Sequence, residues 1–109
     1  MVYDQNLELA IDGVCNRWRG LKKKSMFGGI GYLLNGNMAF GIWQDHLVVR
    51  CGPKPYQECL EKDHTRVFDV TGRVMKGWVM VAPAGWAKTA TLKAWMEIGR
   101  SFAKTLPPK

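Results

Sequence analysis

The chain has 109 residues, of which 47% are hydrophobic and 23% charged; this is one globular domain, too short for two cores and too apolar for global disorder. Sixteen Lys and Arg against nine Asp and Glu leave a formal charge of +7, which admits nucleic acid, acidic proteins or anionic surfaces as partners. No apolar run approaches the roughly 20 residues of a membrane span.

Asp4 caps a predicted first helix. Leu7, Ile11, Val14, Trp18 and Leu21 follow at steps of four and three, which makes one helical face. Gly20 ends this helix and the basic run Lys22-Lys23-Lys24 follows it. From Met26 the period changes. Met26 to Leu34 reads as a strand, Asn35-Gly36 as a tight turn and Met38 to Trp43 as a second strand. Gln44-Asp45-His46 turns the chain into a third strand, Leu47 to Cys51. Gly52-Pro53-Lys54-Pro55 breaks the pattern. Tyr56, Cys59 and Leu60 then carry helical spacing in a short helix. Arg66 to Val70 and Gly77 to Ala82 read as a fourth and fifth strand around a Thr71-Gly72-Arg73 turn, and Pro83-Ala84-Gly85 closes the last one. Leu92, Trp95, Ile98, Gly99 and Phe102 line one side of a final helix, about Thr89 to Lys104, before Pro107-Pro108 stops it.

Strands grouped apart from helices predict an α+β domain. Its antiparallel sheet has about five strands, a meander plus a hairpin, with the N- and C-terminal helices packed on one face.

Few residues point to chemistry. Phe27-Gly28-Gly29-Ile30-Gly31 is rich in glycine but lacks the Gly-Lys-Ser/Thr of a phosphate-binding loop, and a hairpin rather than a helix follows it. Cys15, Cys51 and Cys59 have neither disulfide arithmetic nor metal-ligand spacing, and His46 and His64 do not complete a ligand set. Reduced thiols, and a terminus without signal-peptide layout, place the protein in the cytoplasm. No catalytic residue, metal or cofactor is expected. Asp63-His64 reads as a polar turn.

The basic residues carry the functional expectations. Arg17, Arg19, Lys22, Lys23 and Lys24 are candidate phosphate contacts for a nucleic acid, set against their reading as a solvated helix end. Arg50, Arg73 and Lys76, with the Gly28-Gly29 amides, form a candidate anion site if the sheet brings them together. The sequence has five tryptophans. Trp18 and Trp95 sit on apolar helical faces; Trp43, Trp78 and Trp86 lie near element ends and are candidates for burial, base stacking or a homodimer interface.

Met26-Phe27-Gly28-Gly29, Asn35-Gly36-Asn37-Met38, Leu47-Val48-Val49-Arg50, the stretch Thr71-Gly72-Arg73-Val74-Met75-Lys76-Gly77-Trp78-Val79 and the closing Leu106-Pro107-Pro108-Lys109 come in an order that resembles the N-terminal domain family of the competence regulators TfoX/Sxy. The resemblance covers about residues 22 to 109 and implies a compact α+β domain. Full-length regulators of that family promote expression of DNA-uptake genes and carry a second, helical domain, which has no counterpart in this sequence. It supplies no catalytic residues. The expected function is therefore a non-enzymatic regulatory domain. It works through a protein partner, and through nucleic acid if the basic surface is used. The alternative is a small ligand-binding domain or enzyme built on the anion site.

Overall fold

The computed structural model describes residues 3–26 and 28–109. Met1, Val2 and Phe27, the last within the glycine-rich stretch, lie outside them. Helix α1 spans Gln5–Cys15. Asp4 caps it, accepting from the Asn6 and Leu7 amides at 2.8 and 3.1 Å. Strands β1 (Leu21–Met26), β2 (Gly29–Leu34), β3 (Asn37–Trp43) and β4 (His46–Arg50) follow. Helix α2 (Tyr56–Leu60), strands β5 (Thr65–Val67) and β6 (Trp78–Val81), helix α3 (Pro83–Trp86) and helix α4 (Thr89–Lys104) complete the chain.

The strands form one antiparallel sheet in the order β1-β2-β3-β4-β6-β5. This is the predicted α+β domain with six strands in place of about five. The added strand comes from the N-terminal side. The helix stops at Cys15, and residues 21 to 26 pair with β2 rather than ending a helix. Trp18 and Leu21 continue the helical spacing in sequence, yet they reach the same core from a turn and from a strand. Met26 to Leu34 is consequently two strands with a turn at Gly28, not one. The expected strand from Arg66 to Val70 is shorter, and Pro83-Ala84-Gly85 opens α3 rather than a plain turn.

Asn35 and Gly36 have φ of 53° and 85°, the left-handed pair that a two-residue hairpin requires. The C-terminal tail docks on this turn. Lys109 N–H donates to Asn35 O at 2.9 Å, and the buried Asn37 side chain donates to Pro107 O at 2.9 Å.

The core lies between the sheet and helices α1 and α4. Leu7 and Ile11 of α1, with Leu92, Trp95, Met96 and Ala103 of α4, cover Tyr32, Phe40, Ile42, Leu47, Val49 and Val79. Leu7, Ile11 and Met96 are wholly inaccessible. Tyr32 and Phe40 stack with ring centroids 5.2 Å apart. The β2–β3 register shifts between Tyr32 and Leu33, so that Ala39 is an extra residue in β3. This bulge re-aims the strand, and α4 crosses it with Gly99 against the Ala39 carbonyl.

Among the described residues, no helix covers the other face of the sheet. A smaller cluster of Met38, Val48, Phe68 and Met80 lies there, with Met26, Leu33, Trp43, Val70, Met75 and Trp78 packed around it. Phe68, Val70 and Met75 come from the β5–β6 connection, which folds over the β4–β6 half of that face.

Candidate interaction surface

The five basic residues of the N-terminal run are not gathered on one face. Arg17 and Arg19 stand exposed in the α1–β1 connection. The three lysines are on a strand, so their side chains alternate between faces. Lys23 points to the helix side, where its Nζ donates to Asp12 Oδ2 at 2.6 Å and to Glu8 Oε2 at 2.9 Å. Partial burial works against its charge, but the bonds to Asp12 and Glu8 overcome this and hold its pKa above the ordinary lysine value. It is tied into an ion-pair network with α1. Lys22 and Lys24 lie opposite Leu33 and Gly31 of β2, on the helix-free face, and both are exposed.

The Lys23 network also fastens α1 to the sheet. Asp12 Oδ1 accepts from the hydroxyl of Tyr32 at 2.8 Å, and Glu8 Oε1 from that of Tyr3 at 3.1 Å. Burial first, and then this bond to Asp12, push the Tyr32 phenol well above its ordinary pKa. Asp12→Ala should cost about 1–3 kcal/mol, because it strips a buried hydroxyl of its acceptor. Asp12→Asn keeps an acceptor and should cost less. Urea denaturation of the three proteins ranks them.

The expected anion site is not assembled. In the register of the sheet, Gly28 and Gly29 begin β2 at the end where β3 meets β4, whereas Arg50 closes β4 at the opposite end. Arg73 and Lys76 stand exposed on the β5–β6 connection, which leaves and rejoins the sheet at the Arg50 end. Arg50 is itself engaged. Its guanidinium lies 5.0 Å from the Trp78 ring centre and 5.4 Å from that of Phe102, a cation–π arrangement. Burial there lowers its pKa.

Cys51 and Cys59 line a cleft of about 690 Å³ between α2, the 51–55 segment and the end of α4. Cys51 and Cys59 are each 2% exposed. Cys51 Sγ donates toward Gly77 O at 3.4 Å. Burial, and then the neighbouring Cys59, push the Cys51 thiol from about 9 up to about 12. Such a thiol is a poor nucleophile at neutral pH. It also fixes an alkaline response. The folded state holds this proton more tightly than the unfolded chain, so its contribution is complete below pH 9. Stability should then fall by about 1.4 kcal/mol per pH unit as the pH rises from there toward 12. Tyr32 acts in the same direction above pH 10. Thermal midpoints from pH 8 to 10.5 check this, with Cys51→Ala losing its share of the part that starts near pH 9 and the remainder belonging to Cys15, whose thiol is also raised by burial.

No group of three or more His, Cys, Asp or Glu side chains is placed to hold a metal among the described residues. His46 Nδ1 lies 2.7 Å from Asp45 Oδ1 in an exposed turn.

What the sequence reading missed is the character of the helix-free face. Gly31 and Gly41 are directly paired across β2 and β3. A Cβ on Gly31 would run into Met26 Sδ, and one on Gly41 would stand 2.6 Å from Met38 Cε. Both methionines therefore lie flat over a glycine floor. The chain's carboxylates lie on or beside helices α1, α2 and α4 or in the β3–β4 turn, with one exception. Asp69, in the β5–β6 connection, stands 3.9 Å from Arg66. One half of the face is thus apolar, bordered by Lys22 and Lys24. The only sequence sign of this was a run of methionine and glycine at strand positions of one parity.

No described helix is long and apolar enough to cross a membrane. A family model described as the TfoX N-terminal domain matches residues 14–103. No curated protein and no solved structure matches the chain significantly. The chain belongs to the TfoX N-terminal domain family.

Proposed function

We propose that this member of the TfoX N-terminal domain family is a non-enzymatic regulatory domain. It acts in the cytoplasm, within a circuit of the kind that controls DNA-uptake genes, and does so by contact with another macromolecule. The observation that carries the reading, beside the family itself, is the division of labour between the two sheet faces. One face is filled by α1 and α4 with a closed core. The other holds a buried cluster rimmed by half-buried apolar side chains, beside two exposed lysines, with no helix over it among the described residues. Catalysis would need a nucleophile and a base in reach of each other. The thiols instead serve as packing, and burial holds Cys51 protonated.

The test is transcriptional. Raising or removing the chain in its source organism should change the transcript levels of DNA-uptake genes. No change in either direction, with the protein present and folded, would end the regulatory reading.

A further inference from the structure

Resting on that reading, we infer that the β1–β3 half of the helix-free face docks an acidic, amphipathic segment of a partner protein, with apolar side chains seated over the Gly31–Gly41 floor and carboxylates on Lys22 and Lys24.

The shape comes first. The β5–β6 connection packs on the β4–β6 half of this face and forms one wall. Lys22 and Lys24 on the edge strand β1 form the other. Strands about 4.8 Å apart put β1 and β4 about 14 Å from each other, room for a helix about 10–12 Å across. The floor between them is adaptable. Met26 and Met38 lie over paired glycines, and unbranched thioether chains can re-pack around an incoming side chain. Val74 is 53% exposed on the β5–β6 connection that forms one wall.

Charge chooses the partner. Lys22 and Lys24 have no ion pair among the described residues, whereas Lys23 on the opposite side has two. Arg73 and Lys76 extend the positive charge along the connection, where Asp69 is the one carboxylate, beside Arg66. Two copies meeting through this face would oppose like charges. A nucleic acid would supply negative charge but needs aromatic planes for its bases. The Trp78 ring is stacked on Phe68 at 5.7 Å and also carries Arg50. Trp43, half-buried at the end of β3, is a single further aromatic plane on this face, and Met26, Leu33 and Met38 make the rest of the floor thioether and aliphatic, which suits leucine- or phenylalanine-like side chains.

The test uses the whole chain with its methionine methyls labelled. The probe is a synthetic helical peptide of about 20 residues, about 30 Å long, with Glu and Asp on one side and Leu and Phe on the other. A scrambled peptide of the same composition, a DNA duplex and a DNA single strand are the comparison arms. The methyl resonances of Met26 and Met38 should shift with the amphipathic peptide, while that of Met96, buried under α4, stays in place. Lys22→Glu with Lys24→Glu, both at exposed positions, should weaken binding about tenfold, the effect of reversing two surface charges. Absence of shifts at Met26 and Met38 overturns the proposal. So does equal binding of the scrambled peptide, which would mean attraction by charge alone. Displacement of the peptide by either DNA at equal concentration would assign the face to nucleic acid instead. The regulatory reading fails separately. If the wild-type chain leaves the transcripts unchanged, that reading falls whatever the peptide does. If transcripts respond equally to wild type and to the double lysine variant, only the surface is wrong.

Discussion

Replacing Gly99 by leucine should unfold much of the protein at temperatures where the wild type is intact. Gly99 is buried on α4, and a Cβ there would collide with the Ala39 carbonyl. Backbone cannot yield as a flexible side chain can. Ala39 is the extra residue of the β3 bulge and is wholly inaccessible. Inserting four carbons forces α4 away from the sheet and opens the packing of Trp95, Met96 and Ala103. Overpacking costs up to about 3 kcal/mol, occasionally more, and the better helix propensity of leucine returns only about 1. The leucine variant belongs at or beyond the top of the overpacking range, because the obstacle is main chain. A fall of about 10–20 °C in the thermal midpoint follows from about 4–8 °C per kcal/mol. Gly13 is the control. It is exposed on α1, with nothing within 4 Å of its Cβ position. Gly13→Ala should stabilise slightly. A Gly99→Leu midpoint within a few degrees of wild type would mean that α4 does not pack this closely.

Gly52→Val should have a comparable effect for two independent reasons. Gly52 has φ of +87°, a region that a β-branched residue avoids, at about 1–3 kcal/mol. Its Cβ would also run into the Phe102 ring. Gly52 N–H donates to Gly77 O at 3.0 Å, and a Cβ on Gly77 would stand 3.2 Å from the Gly52 carbonyl carbon. The two glycines thus lie back to back where the 51–55 segment meets the start of β6. Displacing Phe102 removes one of the two rings that flank Arg50. A loss of about 2–5 kcal/mol by urea denaturation is expected when strain and collision are combined. Phe102→Leu in the same background should recover part of it, since it relieves the collision and leaves the φ strain. No recovery would place the whole effect in the backbone.

These positions show what could be read from the chain alone. The Asn35-Gly36 turn was legible because the left-handed pair of φ values selects those residue types. Helix α4 was legible because Leu92, Trp95, Ile98, Gly99 and Phe102 repeat on one side, and its predicted range, about Thr89 to Lys104, matches the observed Thr89–Lys104. The α1–β1 boundary was not legible. Trp18 and Leu21 fall on the helical repeat by position, although one reaches the core from a turn and the other from a strand. That one misreading hid the surface. Three consecutive lysines look alike as a helix end, but on a strand they divide, with Lys23 facing Asp12 and Glu8 and its neighbours facing away. The glycine amides and Arg50 are kept apart for a topological reason. Gly28-Gly29 and Arg50 belong to opposite ends of antiparallel strands, and strand direction cannot be combined with residue type until the pairing is known. Cys51 and Cys59 are almost wholly inaccessible, which their spacing in the chain does not announce.

Among the described residues, the two large apolar side chains that stand most exposed lie on different elements. Val74 is on the connection over the helix-free face, and Leu9, 70% exposed, is on α1. A photo-crosslinking amino acid placed at each position in turn, in living cells, would test the central claim most directly. A discrete protein adduct from position 74, lost when Lys22 and Lys24 are changed to Glu and absent from position 9, is the predicted result. Adducts from position 9 alone, or adducts at 74 that survive the lysine changes, would contradict it.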